Sequence, residues 1–165
     1  MGAPKHIEVI ARGVLRHGSA VLACRSTAGG FLYLPGGHVE PGEPAARALE
    51  REFEEETGLG VRTGPCVLVS EGLFEERGKQ HHELNLVFHV ELRPGSAAAG
   101  LGPDDPPPPV HPREKGIAFE WTDLASVTDL DLRPEPIRAW LVSGGATQGG
   151  PTCTWIGVDG DHRTG

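Results

Sequence analysis

The sequence predicts one α/β domain. Strand-like apolar runs lie both before and after a charged segment that has helical periodicity. The chain has 165 residues, which is enough for a single domain to bury its own core without disulfides or metals. No internal repeat interrupts the pattern, so we expect residues 1–165 to form one domain.

Three strands are predicted before the charged segment. Residues 6–18 ("HIEVIARGVLRHG") and 19–26 ("SAVLACRS") form two strands joined by a Gly-Ser turn. Residues 31–37 ("FLYLPGG") form a short third strand that ends at Pro35 and the glycine pair. Proline lacks the N–H donor that a strand interior needs, so the chain turns there.

The glutamate-rich segment is predicted to be a helix over about residues 43–57. Pro44 suits the first turn, and Gly58 suits the position just past the end. At 100° per residue the helix has three sectors. These are a core stripe (Ala46, Leu49, Phe53), a solvent face (Arg47, Glu50, Arg51, Glu54) and an acidic group without a basic partner (Glu52, Glu55, Glu56), which lies above Ala45 and Ala48.

The acidic group has two interpretations on spacing alone. A run of charge is commonly a solvated helix face. Three converging carboxylates after a glycine-rich turn are also a site for a hard divalent cation, since Mg²⁺ prefers carboxylate oxygens and takes its remaining ligands from water and phosphate. Helical spacing does not decide between them.

Two long strands are predicted after the helix, over residues 61–76 and 81–92 with a polar turn at 77–80. In the second strand Leu84, Leu86, Phe88, Val90 and Leu92 share one face, while the other is mainly polar. Such alternation predicts a strand that is buried on one side only.

The rest of the chain is predicted to be a loop, a strand, a helix and a tail. Residues 93–113 are rich in Pro, Gly and Ala and form a loop, either a tolerated insertion or a substrate lid. A strand over 116–124 and a proline-started helix over 133–144 follow. The segment 151–159 is expected to add a strand, and residues 161–165 are expected to be frayed.

Composition excludes several classes of protein. A formal net charge of −8 argues against unaided nucleic-acid binding, which needs a basic surface. No segment approaches the apolar length of a membrane span, and the three cysteines have neither CxxC spacing nor an even number. We therefore expect a cytoplasmic protein that binds neither nucleic acid nor membrane.

The order of residues around the helix resembles a known signature. Gly37 is followed by five residues and Glu43, then by seven residues and the run 51–59, Arg-Glu-Phe-Glu-Glu-Glu-Thr-Gly-Leu. This pattern is similar to the Nudix box of the Nudix (MutT-type) hydrolases, and every fixed position matches. Phe53 is the one departure, since the family usually has an aliphatic residue there. The flanking elements resemble the family over residues 6–143.

The resemblance implies an α/β/α sandwich with a mixed sheet, and metal-dependent hydrolysis of a small-molecule substrate in which a nucleoside diphosphate is linked to another group. Mg²⁺ or Mn²⁺ would be bound by Glu52, Glu55, Glu56 and the Gly37 carbonyl, while Glu43 and Arg51 would hold the loop to the helix. A further acidic residue often completes the site or acts as base. Glu114 is the expected one, with Glu75, Glu76 and Glu83 as rivals.

Residues that contact the substrate are harder to identify. Arg25 resembles a position that family members use to bind phosphate, but it also suits a surface arginine at a strand end. Phe74, Phe88 and Trp121 are candidates to stack on a base, although core packing is the favoured role for Phe88. Lys79 and His81, together with His82, either contact phosphate or form an exposed strand end. The alternative function is a non-catalytic nucleotide sensor, and the oligomeric state, with a homodimer as one option, stays open.

Overall fold

The computed structural model describes residues 4, 6–76, 78–96, 100–147, 153–157 and 162–164, of which 76, 155 and 162–164 are described by their backbone alone. Strands lie both before and after the acidic helix, as the sequence predicts. The strands are β1 (Glu8–His17), β2 (Ala20–Ser26), β3 (Leu32–Tyr33), β4 (Gly36–His38), β5 (Val61–Glu76), β6 (Lys79–Leu92), β7 (Ile117–Asp123), β8 (Thr154–Ile156) and β9 (His162–Thr164). The helices are α1 (Ala45–Thr57) and α2 (Glu135–Val142), with 3₁₀ turns at Leu124–Asp129 and Gly145–Thr147.

The strands form the predicted mixed sheet. β1 runs parallel to β6 and antiparallel to β4, and β5 runs antiparallel to β6 and parallel to β8. β2 pairs with the end of β1 and also with β3 and β7. The predicted third strand is in fact two short ones, because the chain leaves β3 at Leu34 and Pro35 and then pairs with β1 as β4.

The two helices cover opposite faces of the sheet, which confirms the α/β/α class. Phe88 and Val90 of β6 pack in one core cluster with α1, whereas Val87 packs in a second cluster with α2. The expectation that β6 is buried on one side only is therefore wrong. Asn85 and Val87 on the supposedly exposed face are 1% and 0% exposed, because the second core cluster covers that face.

The buried stripe of α1 is close to the predicted one. Leu49 and Phe53 are fully buried, but Ala48 is buried in place of Ala46, which is half-buried. Phe53 fits because Gly13 of β1 lies beneath its ring. A Cβ atom at residue 13 would stand 2.5 Å from Phe53 Cε2, so the glycine makes room for the aromatic ring that departs from the family pattern.

The C-terminal tail adds to the sheet edge. β8 confirms the strand expected within 151–159, as far as those residues are described. β9 pairs with β8, so the expected fraying at 161–165 is wrong for His162–Thr164. Among the described residues, none of the helices has both the length and the apolar character that crossing a membrane requires.

Candidate active site

Gly37 and the first acidic residue of the helix lie against each other. β4 pairs with β1 so that Gly37 is opposite Ala11, and the backbone at Gly37 then faces α1. A Cβ atom at residue 37 would lie 2.4 Å from Cδ of Glu52, so a larger residue there would displace the Glu52 carboxylate. The absence of a side chain at Gly37 therefore lets the Glu52 carboxylate lie against the strand.

Arg51 joins the loop before the helix to the acidic group. Its guanidinium donates to both carboxylate oxygens of Glu43 at 3.0 and 3.1 Å, and to the His38 carbonyl oxygen at 3.3 Å. It also donates to Glu52 at 2.8 Å and to Glu55 at 3.1 Å. These bonds, first of all those with Glu43, raise the pKa of Arg51.

Two expectations about Arg51 are thus corrected. The side chain does not lie on the solvent face, and the acidic group does not lack a basic partner, because the Arg51 guanidinium pairs with both Glu52 and Glu55. With both carboxylates paired to arginine, no three His, Cys, Asp or Glu side chains in the described part of the chain form a preformed metal site.

Glu56 is the buried member of the acidic group. It is 8% exposed, and burial, followed by the charge of Glu52, raises the pKa of its carboxyl to about 7. Arg12 and the Gly36 backbone oppose this rise. The Oε2 atom is buried and has no hydrogen-bond partner among the described residues. Unpaired buried polar atoms are uncommon in folded proteins, and each one calls for a physical explanation.

The proline-rich loop is anchored to the domain where the structure describes it. The His17 ring nitrogen lies 2.7 Å from the Asp105 carbonyl oxygen, and Trp121 Nε1 donates to the Pro108 carbonyl oxygen at 2.8 Å. Pro108 is buried. The Arg113 N–H then donates to the carbonyl oxygen of Glu56 at 2.8 Å. Residues 97–99 of the loop lie outside the described residues.

This anchoring brings Glu114 to the acidic group. Glu114 is exposed, and its charge is close enough to Glu56 to contribute to the raised pKa of that carboxyl. Two of the rival acids, Glu75 and Glu83, line a neighbouring cavity. The side chain of the third, Glu76, lies outside the described residues.

The cavity has a volume of about 820 Å³ and lies on the α2 side of the sheet. A volume of this size suits a small-molecule ligand. Its wall includes three aromatic rings (Phe31, Tyr33, Phe74), two arginines (Arg12, Arg133) and five carboxylates (Glu71, Glu75, Glu83, Asp131, Glu135). Since Arg12 is also close to Glu56, the cavity adjoins the acidic group.

Only one of the expected substrate contacts lies in the cavity wall, namely Phe74. His81 stacks on Phe74 with ring centroids 5.2 Å apart and binds Glu8 at 3.0 Å. Lys79 is exposed where β6 begins, and Arg25 pairs with Glu120. Sequence reasoning did not single out Arg12, which lines the cavity; its signal was a charged residue inside the otherwise apolar run 9–15.

Comparison with known proteins agrees with this geometry. The model of the NUDIX domain family matches residues 4–141. A solved structure titled as a MutT protein from Methanosarcina mazei is 20% identical with a TM-score of 0.62, over 86% of this chain and 95% of that one. A mutator MutT protein from Bacillus halodurans is 16% identical with a TM-score of 0.61, over 95% and 97%.

A third solved structure, an ADP-ribose pyrophosphatase from Streptococcus suis, is 15% identical with a TM-score of 0.54, over 91% of this chain and 96% of that one. Likeness at these identities shows a shared fold. The family match is broader, because it spans one core cluster entirely, most of the other, the glycine-rich turn and the acidic helix. The chain therefore belongs to the NUDIX domain family.

Proposed function

We propose that this protein hydrolyses a diphosphate linkage in a nucleoside diphosphate derivative, with Mg²⁺ or Mn²⁺ held by Glu52, Glu55, Glu56 and the Gly37 carbonyl. Membership of the Nudix family makes it a pyrophosphohydrolase that acts on a nucleotide derivative. The identity of the cation, the substrate and the role of each residue are the further steps of the proposal.

The observation that carries the proposal is the unpartnered Oε2 atom of Glu56. It is buried within electrostatic reach of Glu52, whose carboxylate lies against Gly37. Carboxylate and carbonyl oxygens are the ligands that Mg²⁺ prefers. The residues therefore fit a hard divalent cation, which would give the Glu56 oxygen the partner that it lacks.

Arg51 neutralises part of the negative charge of the acidic group in the absence of a cation. The four carboxylates of Glu43, Glu52, Glu55 and Glu56 would otherwise repel one another, and the Arg51 guanidinium offsets part of this repulsion. When Glu52 and Glu55 turn towards a cation, Arg51 retains Glu43 and the His38 carbonyl as partners. The loop that presents Gly37 thus stays attached to the helix.

In this proposal, different residues of the protein bind the cation, accept a proton and bind the nucleotide base. When bound, the cation supplies a water of lowered pKa and neutralises charge on the phosphate oxygens. Glu114, exposed beside Glu56, accepts a proton from the attacking water as general base. Phe74, in the cavity wall, stacks its ring on the base of the nucleotide.

A panel of nucleotides tests this function. Purified protein is incubated with nucleoside triphosphates, nucleotide sugars and dinucleotides in the presence of Mg²⁺, Mn²⁺ or a chelator. Phosphate, pyrophosphate and nucleoside monophosphate are scored separately, which identifies the bond that breaks. Turnover that disappears with the chelator, while circular dichroism stays unchanged, supports the proposal. Tight binding of a nucleotide without any turnover would instead support a sensor.

A further inference from the structure

The arginine expected to contact phosphate does not face the cavity. Arg25 donates through Nε and Nη2 to both carboxylate oxygens of Glu120, at 2.8 and 2.7 Å, and through Nη1 to the Gly30 carbonyl. A bidentate pair of this kind occupies the edge of the guanidinium that would bind a phosphate. Arg25 is also absent from the described residues that line the cavity.

Arg12 has the opposite arrangement. Its Nη1 donates to the carbonyl oxygens of Leu34 and Gly36, both at 3.2 Å, and its guanidinium lies over the Tyr33 ring at 5.2 Å. Its Nε is buried without a partner, and its Nη2 makes no hydrogen bond to any described residue. One side of the guanidinium is thus held by the loop before Gly37, while the Nε–Nη2 edge is unused.

A diphosphate that reached from the cavity to the acidic group would need a positive charge close to Arg12. The cavity wall holds five carboxylates against two arginines, and Arg133 is paired with Asp131. An anionic substrate would be repelled from such a wall unless a cation met its phosphate. Arg12 lies between the cavity that it lines and Glu56, whose charge it offsets.

We propose that Arg12, and not Arg25, binds a phosphate group of the substrate, through parallel hydrogen bonds from Nε and Nη2 to two phosphate oxygens. This inference rests on the proposed function, because the same substrate has its scissile bond at the acidic helix. The planar fork of arginine matches two phosphate oxygens, which a lysine cannot do. Arg12 thereby sets the position of the diphosphate between the cavity and the helix.

Calorimetric binding of two non-hydrolysable probes, imidodiphosphate and α,β-methylene adenosine diphosphate, tests the proposal in the presence of Mg²⁺. Arg12→Gln is expected to bind both probes roughly 10- to 100-fold more weakly than the wild type, as for the loss of charge-assisted hydrogen bonds. Arg12→Lys keeps the charge and is expected to recover only part of the loss. Arg16→Gln, an exposed arginine on the same strand, is the matched control.

Thermal unfolding of each variant separates binding from folding. A folded Arg12→Gln with wild-type affinity would overturn the proposal, as would a loss of affinity in Arg25→Gln alone. If Arg12→Gln does not fold, Arg12→Lys decides, because wild-type affinity in that variant rules out the bidentate contact. If the wild type binds the probes through Arg12 but hydrolyses no nucleotide, the proposed function fails and this inference stands.

Discussion

The main-chain N–H of Arg113 donates to the carbonyl oxygen of Glu56 with an N–O distance of 2.8 Å. The same residue covers the end of α1, since a Cβ atom at Gly58 would lie 2.4 Å from its guanidinium. The residue before Glu114 is thus bound to the most buried carboxylate residue of the helix. The relative position of Glu56 and Glu114 is set by this contact between two distant parts of the chain.

Glu114→Gln is expected to lower the catalytic constant by about 10²–10⁴-fold, the usual contribution of a positioned general base. Nucleotide affinity should change much less, because the carboxylates of α1 remain. Steady-state kinetics on the nucleotide that the panel reveals is the measurement. Near-wild-type turnover in this variant, with a loss in Glu75→Gln or Glu83→Gln, would assign the base to the cavity wall instead.

The carboxylates of α1 are expected to differ in their effect on rate. Glu55→Gln or Glu56→Gln should reduce turnover by orders of magnitude, because each removes an expected cation ligand. Glu54→Gln and Glu50→Gln are the controls and should change turnover little. Glu54 is exposed, and Glu50 pairs with Arg47 and Arg93 away from Gly37. Similar mild effects at all four positions would contradict the division of the helix into sectors.

Without metal, the stability of the protein is expected to depend on the protonation of Glu56. Burial raises the pKa of this carboxyl from its ordinary value of 4.5 to about 7. Between these two values the folded protein retains a proton that the unfolded chain has released. Stability therefore falls as the pH rises from about 4.5 to 7, and stays lower above that. The whole shift is worth about 3 kcal/mol at most.

Glu56→Gln removes this pH dependence. In the presence of a chelator the variant should be more stable than the wild type by up to about 3 kcal/mol at pH 8, with almost no gain near pH 4.5. Urea unfolding at both pH values is the measurement. Glu55→Gln should change stability by less than about 0.5 kcal/mol at either pH, because Glu55 is exposed. An equal gain for Glu56→Gln at both pH values would contradict the burial argument.

Gly37→Ala is expected to impair turnover by displacing the Glu52 carboxylate, which lies 2.4 Å from the position of the added methyl group. A misplacement of about 1 Å in a catalytic site can cost roughly 10²-fold in rate. Gly60→Ala is the matched control, because its nearest neighbour would be 3.7 Å away. Comparable kinetics for the two variants would show that Glu52 does not need this close approach.

Gly13 and Phe53 are expected to be coupled in stability. Gly13→Ala places a methyl group 2.5 Å from the Phe53 ring and should cost about 1–3 kcal/mol of unfolding free energy, as overpacked cores do. In a Phe53→Leu background the same change should cost clearly less. A double-mutant cycle by chemical denaturation measures the coupling. Additive effects would mean that the core relaxes without using the space at Gly13.

The sequence by itself determined the acidic helix, the glycine-rich turn and the strands that flank them. These features follow from local rules, since a 100° rotation per residue brings Glu52, Glu55 and Glu56 to one side of α1 and puts Leu49 and Phe53 on another. The Nudix box added the link between Gly37 and the helix. The helical sectors and the Nudix box could both be identified from the order of residues alone.

Only the tertiary structure decided how deep each charged group lies and which groups meet. Glu56 is buried and Glu55 exposed because β4 and the chain at Arg113 pack beside one and not the other. α2 covers the face of β6 that alternation predicted to be exposed. Arg12 faces the cavity and Arg25 faces Glu120. Periodicity assigns a direction to each side chain, but burial depends on what distant parts of the chain pack there.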